Sequence, residues 1–172
     1  MEYVILVDEN DKATGQMEKM EAHHKGVLHR AFSVFLHDGN GNVLLQRRAL
    51  SKYHSGGLWT NACCSHPRQG ESVEKAAHRR LMEELGVDCP VKEVSTFLYR
   101  AELDKGMIEH EFDHVLTGVI DPDDFPFNPE EVDSVDWMAF DNLVEDIEKN
   151  PSKYTVWFQI IMKNVNREML MI

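Results

Sequence analysis

Cysteine is scarce in this chain. Only three are present, Cys63, Cys64 and Cys89, and the first two are adjacent. An odd number with two direct neighbours does not suit a disulfide framework, so we expect free thiols in a reducing compartment. The chain also lacks the apolar run of about 20 residues that a membrane span needs, and a charged-then-apolar leader. We therefore expect a cytoplasmic protein without membrane contact.

Positive charge is scarce as well. Eighteen Lys and Arg residues stand against 30 Asp and Glu residues, which gives a net charge of −12. This balance excludes a broad nucleic-acid surface, which needs a positive footprint. An acidic protein that binds a polyanion must gather its few cations in a pocket or recruit a divalent metal ion. There is no internal repeat, low-complexity tract or linker, so we expect a single domain over residues 1–172.

Hydrophobic patterning predicts an irregular alternation of strands and helices. Strands are predicted at 3–7, 31–37, 43–47, 94–101, 108–119 and 132–137. Helices are predicted at 17–24, 71–86 and 141–149, before a C-terminal helix marked by Trp157, Ile161 and Val165. The Asp-Gly and Asn-Gly steps at 38–41 predict a hairpin, and Asp141 is expected to cap its helix. The predicted fold class is α/β (α+β), a mixed sheet with helices on both sides.

The helix predicted at 71–86 carries polar side chains that share one face. Arg80 and Glu84 are four residues apart, and the helix follows a loop that contains Cys64 and His66. An Arg and a Glu aimed in one direction beside a Cys-x-His loop suggest a metal-assisted site for a phosphorylated ligand. A solvated amphipathic helix with exposed ion pairs would show the same spacing.

Arg47, Arg48 and Lys52 form the densest basic patch of the sequence. They follow a predicted strand, at the kind of strand end where α/β proteins place ligands. A solubilising surface loop would have the same composition. The patch is therefore either part of a ligand site or a solvent-exposed loop.

Two carboxylates, Glu109 and Glu111, alternate on a predicted strand and so share one face, while His110 and His114 share the other. On a buried face the two carboxylates repel each other unless a cation or a proton neutralises them. Imidazoles added to this pair favour zinc, manganese or iron over calcium. The imidazoles in question are His23, His29 and His66. Four histidines show no such pattern and are left out of the set: His24, His37, His54 and His78.

Cys64 is the strongest single candidate for chemistry. Next to a metal-binding histidine and ahead of a helix, its thiol could be held as a thiolate or could donate a proton. A free cysteine is more commonly a small buried apolar residue. We expect that structural role for Cys63 and Cys89.

Residues 65–87 resemble the Nudix box, a metal-binding helix motif with the pattern G-x5-E-x7-R-E-U-x-E-E-x-G-U, where U is aliphatic. The matched positions are Ser65, Glu71, Arg79, Arg80, Leu81, Glu83, Glu84, Gly86 and Val87. Ser65 replaces the leading Gly, and Arg80 replaces the first Glu of the R-E pair. The second change removes a carboxylate that Nudix hydrolases use for magnesium, so simple pyrophosphate hydrolysis is not expected.

The chain is similar to the type I isopentenyl-diphosphate isomerases along almost its full length. The matching pieces occur in the family's order at 18–19, 23, 29–33, 47–52, 59–61, 64–67, 79–81, 83–86, 99–101 and 109–111. The resemblance implies a Nudix-like α/β/α sandwich. It also implies an enzyme of isoprenoid biosynthesis that interconverts isopentenyl and dimethylallyl diphosphate by protonation and deprotonation.

The resemblance also assigns roles to residues of this chain. Cys64 and Glu111 are the implied proton-transfer pair, with Tyr99 hydrogen-bonded near Glu111 and Trp157 facing a tertiary carbocation. The implied ligands of a divalent metal ion (Mn²⁺, Zn²⁺ or Mg²⁺) are His23, His29, His66, Glu109 and Glu111. The implied diphosphate contacts are Lys19, Arg48, Lys52 and Arg80. Glu84 would hold a Mg²⁺ that bridges the diphosphate. Cys64 is also counted among the implied metal-contacting residues.

Two other functions stay open from the sequence. One is a Nudix hydrolase of an organic diphosphate, because Glu71, Glu83 and Glu84 remain. The other is a silent domain that only binds a prenyl diphosphate, although such a domain would need neither Cys64 nor Glu111. In each case the partner is a small prenyl or organic diphosphate, and we expect a monomer or a weak dimer.

Overall fold

The computed structural model of the protein describes residues 1–121 and 125–171. Within these ranges nine strands form one mixed sheet. They are β1 (Tyr3–Val7), β2 (Ala13–Glu18), β3 (His29–His37), β4 (Asn42–Arg48), β5 (Trp59–Thr60), β6 (Cys63–Ser65), β7 (Lys92–Glu102), β8 (Ile108–Val119) and β9 (Val132–Ala139).

Five helices accompany the sheet in the same described ranges. They are α1 (Lys19–Lys25), α2 (Val73–Leu85), α3 (Phe140–Lys149), α4 (Val156–Asn164) and α5 (Arg167–Leu170). Short 3₁₀ turns lie at Asp104–Gly106 and Pro151–Lys153. None of the described helices is long and apolar enough to cross a bilayer.

Strand β3 is the centre of the sheet and brings distant segments together. It pairs in parallel with β8 over its whole length, which places His29 beside Glu111. It also pairs with β6 in antiparallel fashion, which places Ser33 beside Cys64. Residues about 80 positions apart in sequence therefore meet along a single strand.

The predicted hairpin between β3 and β4 is present but short. The two antiparallel strands pair at one position next to the turn, His37 and Val43. Strand β4 pairs with β9 from Asn42 to Arg48, and β5 pairs with β4 at Gln46 and Arg47. The local turn signal is correct, whereas the long-range partners β8 and β9 take the backbone hydrogen bonds of the two strands.

Apolar side chains fill both faces of the sheet. Consecutive β3 residues alternate, so that Val34 joins the cluster that contains α2 residues, while Phe35 joins the cluster with α3 and α4 residues. Both side chains are fully buried. The prediction of a mixed sheet with helices on both sides is therefore confirmed.

The ends of the predicted helices need small corrections. Helix α2 begins after Ser72, whose hydroxyl accepts a hydrogen bond from the Lys75 amide, and ends at Gly86 with φ 67°. A Cβ on Gly86 would lie 2.6 Å from a side-chain atom of Pro126, so close packing as well as conformation requires glycine there. The Asp141 cap is wrong, because α3 begins at Phe140 without a side-chain cap and Asp141 lies inside its first turn.

Candidate active site

Four of the five predicted metal ligands converge in the structure. His23, His29, His66 and Glu111 each offer a ligand atom, and these atoms lie within 4.8 Å of one another. The Glu111 Oε2 atom is 3.0 Å from His29 Nε2 and 2.8 Å from His66 Nε2. His23 Nε2 is buried and has no hydrogen-bond partner.

Backbone carbonyls fix how two of these imidazoles are presented. His23 Nδ1 lies 2.7 Å from the Lys19 carbonyl, and His29 Nδ1 lies 2.8 Å from the Val27 carbonyl. A carbonyl only accepts, so each Nδ1 carries the proton and each Nε2 turns a lone pair inward. Lone pairs that converge on a carboxylate repel one another unless a cation lies between them. The donor set therefore fits a divalent metal ion.

Burial favours the neutral form, which a metal requires, at two of these imidazoles. Desolvation lowers the pKa of His23 to about 4 and also lowers the pKa of His66. Burial alone would raise the pKa of Glu111, but the polar contacts of its carboxyl group with His29 and His66 hold that pKa well below its usual value. Glu111 is thus an ionised carboxylate.

Glu109, the fifth predicted ligand, does not share this cluster. It is buried and belongs to a second group of potential ligands with His23 and His54. The Tyr99 hydroxyl lies 2.7 Å from both Glu109 Oε1 and Glu111 Oε1. One hydroxyl donates one proton, so at one of these two contacts a protonated carboxyl group must donate to the Tyr99 oxygen. Burial and the charge of Glu111 raise the pKa of Glu109 well above its usual value, which assigns that proton to Glu109.

His54 is a site residue that the sequence pattern missed. It is 1% exposed, and its ring stands edge-on to the Trp157 indole at 5.3 Å between centroids. Its buried Nε2 has no hydrogen-bond partner and lies 3.9 Å from Glu109 Oε2. His54 lies in the irregular loop between β4 and β5, so it has no regular sequence spacing from another potential ligand that could have identified it.

The structure supports a thiol rather than a thiolate at Cys64. Its sulfur is 3.1 Å from Asn61 Oδ1 and 3.4 Å from Ser33 Oγ. The Ser33 hydroxyl donates a hydrogen bond to the buried Asp113 side chain. Burial, followed by the negative charge of Asp113, raises the pKa of Cys64. No cation or helix terminus within this set offsets that effect, so Cys64 holds its proton.

Cys64 and Glu111 line the same cavity, together with Tyr99, His54 and Trp157. The space between these side chains has an empty volume of about 310 Å³, including the part that is open to solvent. Trp157 is 2% exposed, and the centre of the Arg48 guanidinium lies 5.0 Å from its ring centroid. An acid, a base and an aromatic face are therefore gathered around one small space.

An adjoining cavity collects the predicted diphosphate contacts. Its empty volume is about 420 Å³, and it shares Arg48, Tyr53, Cys64, Ser65 and His66 with the first cavity. The predicted cations that line it are Lys19, Arg48, Lys52 and Arg80. Glu84 lines it as well.

The basic patch of the sequence divides between this cavity and the surface. Arg47 lies on β4, but its side chain is 43% exposed and pairs with Asp133, so it faces solvent. Arg48 is 8% exposed, and its buried Nε has no hydrogen-bond partner. Within the described residues no carboxylate lies within ion-pair distance of Arg48. Arg47 therefore fits the interpretation of the patch as solvent-exposed, and Arg48 fits its interpretation as part of a ligand site.

The other three cations are paired with carboxylates. Lys19 Nζ is 2.6 Å from Glu2, and Lys52 Nζ is 2.5 Å from Glu131. Arg80 contacts three carboxylates, at 2.6 Å, 3.6 Å and 3.4 Å, which belong to Glu83, Glu84 and Glu131. Glu2 and Glu131 also line the cavity, and no sequence pattern marks either of them.

Cys63 is buried as predicted, yet it also has a polar contact. Its sulfur lies 2.7 Å from Glu84 Oε2, and Gln46 Nε2 lies 3.5 Å from Glu84 Oε1. Burial, followed by the negative charge of Glu84, raises the pKa of Cys63, so the thiol is the donor. Cys63 therefore orients the Glu84 carboxylate.

Two other carboxylates of the matched motif, Glu71 just before α2 and Glu83 within it, are occupied by arginines. Glu71 accepts two hydrogen bonds from Arg79, at 2.8 Å and 2.9 Å. Glu83 contacts Arg79 at 3.5 Å and Arg80 at 2.6 Å. Of Glu71, Glu83 and Glu84, only Glu84 lines the cavity.

Comparison with known proteins agrees with this architecture. The NUDIX domain family model matches residues 27–158. Among solved structures, DR0079 from Deinococcus radiodurans has a TM-score of 0.77 at 19% identity, covering 96% of this chain and 100% of that one. The MutT protein from Methanosarcina mazei has a TM-score of 0.64 at 17% identity, covering 82% and 94%. At these identities the two structures show the shared fold.

Curated relatives are much more similar in sequence. The isopentenyl-diphosphate Delta-isomerase 2 of Photorhabdus laumondii is 50% identical over 165 residues, which covers 96% of this chain and 93% of that one. The isopentenyl-diphosphate Delta-isomerase of Pectobacterium atrosepticum is 50% identical over 163 residues, covering 94% and 90%. The NUDIX family implies use of a divalent metal ion. The chain belongs to the isopentenyl-diphosphate Delta-isomerase family of NUDIX-domain proteins.

Proposed function

We propose that the protein interconverts isopentenyl diphosphate and dimethylallyl diphosphate in isoprenoid biosynthesis. One observation carries this proposal: Cys64 and Glu111 line one small cavity that adjoins a cavity with four cations. The first cavity suits a five-carbon chain, and the second suits a diphosphate. The names of the relatives point to the same reaction.

The diphosphate end depends first on Arg48. A buried guanidinium with an unsatisfied Nε and no carboxylate partner favours a bound anion, because burial without a counter-charge is costly. Lys19, Lys52 and Arg80 add positive charge around the same cavity. Glu84, oriented by Cys63, would hold a Mg²⁺ ion, which would supply further positive charge for the diphosphate.

The hydrocarbon end must move a double bond by one position. The reaction adds a proton to one carbon and removes a proton from another, so one acid and one base are needed. The Cys64 thiol holds a proton that it can donate to the terminal carbon of the alkene, which leaves a cation on the adjacent carbon. The ionised Glu111 can then take a proton from the carbon on the other side of that cation. The cation between the two steps is tertiary. The Trp157 indole can stabilise such a cation by about 2 kcal/mol when water is excluded.

His23, His29, His66 and Glu111 would hold a second divalent ion, and Glu109 is the adjacent carboxylate. Nitrogen and oxygen donors suit Zn²⁺, Mn²⁺ or Mg²⁺. Such an ion supplies positive charge that tunes the basicity of the Glu111 carboxylate. Tyr99 holds the other Glu111 oxygen, so the carboxylate is fixed from two sides.

The hydrolase alternative has less support. In Nudix hydrolases several carboxylates of the box bind magnesium, whereas here Glu71 and Glu83 are occupied by arginines. Arg80 stands at the position of the missing carboxylate and lines the cavity as a cation. This arrangement binds a diphosphate without gathering the metal charge needed to cleave it.

Product analysis tests the proposed function. Isopentenyl diphosphate is incubated with the protein and Mg²⁺, with Mn²⁺ or Zn²⁺ added in parallel samples. We expect dimethylallyl diphosphate with its diphosphate intact and no release of phosphate. Release of phosphate would support the hydrolase, and binding of the substrate without any product would support the silent binding domain.

A further inference from the structure

We propose that Glu131 makes diphosphate binding dependent on a divalent cation. The inference rests on the proposed function, because it concerns the cavity assigned above to the diphosphate. Glu131 precedes strand β9, and its carboxylate reaches into that cavity. There it lies 2.5 Å from Lys52 Nζ and 3.4 Å from Arg80 NH2.

The contacts of Glu131 place it where a phosphate would have to bind. Lys52 and Arg80 are two of the four cations that line the cavity, and a single oxygen, Oε2, contacts both of them. An incoming phosphate must share these cations with a carboxylate that is already bound to them. The Glu131 carboxylate therefore competes with a free anion for the same partners.

The charges around the cavity are almost balanced without a ligand. Four cations line it, and three carboxylates, those of Glu2, Glu84 and Glu131, oppose them. These seven charged side chains sum to a single net positive charge. A diphosphate ester brings about three negative charges near pH 7, so the free anion leaves an excess of negative charge. One divalent cation removes that excess.

Of the carboxylates available, Glu131 has the largest influence on this balance. Glu2 is 49% exposed, so water screens its pair with Lys19. Glu84 is the residue assigned to the bridging ion itself. Glu131 is 23% exposed and is the one that contacts two of the cations. Its backbone carbonyl also accepts a hydrogen bond from the Ala49 amide, which anchors the loop that carries Lys52.

The substitution Glu131→Gln removes the charge and keeps the shape. The amide oxygen can still accept from Lys52, and the backbone bond to Ala49 does not depend on the side chain. The matched control is Glu130→Gln, which makes the same change of net charge at an exposed neighbour. Glu130 does not line the cavity.

Calorimetric titration with inorganic pyrophosphate, at constant ionic strength, tests the inference. Each protein is titrated once in EDTA and once in saturating Mg²⁺. We expect Glu131→Gln to bind metal-free pyrophosphate about tenfold more tightly than the unchanged protein does. The increase in pyrophosphate affinity that Mg²⁺ produces should be about tenfold smaller in this variant. The affinities of Glu130→Gln should match those of the unchanged protein.

The outcomes separate this inference from the proposed function. If the unchanged protein binds pyrophosphate with Mg²⁺ and Glu131→Gln shows the same dependence on Mg²⁺, the role of Glu131 is overturned and the diphosphate cavity stands. Weaker binding of metal-free pyrophosphate by the variant would also overturn that role. If the unchanged protein binds pyrophosphate neither with nor without Mg²⁺, both the cavity assignment and the role of Glu131 fail.

Discussion

Replacement of Cys64 by alanine should reduce kcat for isomerisation by about 10² to 10⁴-fold, the range expected when a general acid is removed. The thiol is the one protonated donor assigned to the alkene in the cavity it shares with Glu111. Its contacts with Asn61 and Ser33 are hydrogen bonds at 3.1 Å and 3.4 Å, so their loss leaves the sheet pairing of β6 in place. Steady-state kinetics and thermal unfolding of the same sample measure the two effects.

The control for this variant is Cys89→Ala. Cys89 is also a free and buried thiol, but it packs in the core cluster on the α2 side of the sheet and lines neither cavity of the site. We expect a small loss of stability and unchanged kinetics. Turnover of Cys64→Ala within a few fold of the unchanged protein would remove Cys64 from the proton-transfer pair.

Glu111→Gln should cause a loss of activity at least as large, because this residue carries two functions. The amide cannot accept a proton from carbon, and it is a poor ligand for a metal ion among imidazoles. We expect kcat to fall by about 10⁴-fold, and the affinity for Co²⁺ or Zn²⁺ to fall by about 10 to 100-fold. Metal titration followed by the visible spectrum of Co²⁺ measures the second effect independently of turnover.

Glu102→Gln is the matched control for Glu111→Gln. Glu102 lies at the end of the neighbouring strand β7, with its side chain 79% exposed, and it lines neither cavity of the site. It should bind Co²⁺ and turn over substrate like the unchanged protein. If Glu111→Gln kept normal turnover and normal Co²⁺ binding, both functions assigned to the carboxylate would be wrong.

Periodicity within single elements was enough to predict part of the site. Alternation along β8 placed Glu109 and Glu111 on one face, and the structure buries both of them. It placed His110 and His114 on the other face, where His114 pairs with Asp11 and Glu93. These predictions succeed because strand geometry fixes the direction of alternate side chains whatever the partner strand is.

The convergence of segments could not be predicted in the same way. His29 meets Glu111 only because β3 and β8 pair in parallel across 82 positions, and no local signal specifies that pairing. The turn signal between β3 and β4 correctly indicated a hairpin, but no local signal indicated the longer pairings of these strands with β8 and β9. Glu131 is one of 30 acidic residues and has no distinguishing neighbour in sequence. Only the fold shows that it reaches Lys52 and Arg80.

Proton exchange with solvent tests the central claim, that Cys64 and Glu111 shift a double bond by adding one proton and removing another. The protein is incubated with isopentenyl diphosphate and a divalent metal ion in deuterated water, and the product is examined by NMR. Exchangeable protons on the thiol and the carboxylate become deuterium, so we predict dimethylallyl diphosphate with deuterium bound to carbon. The absence of both isomer and carbon-bound deuterium, with Mg²⁺, Mn²⁺ and Zn²⁺ all tested, would contradict the account.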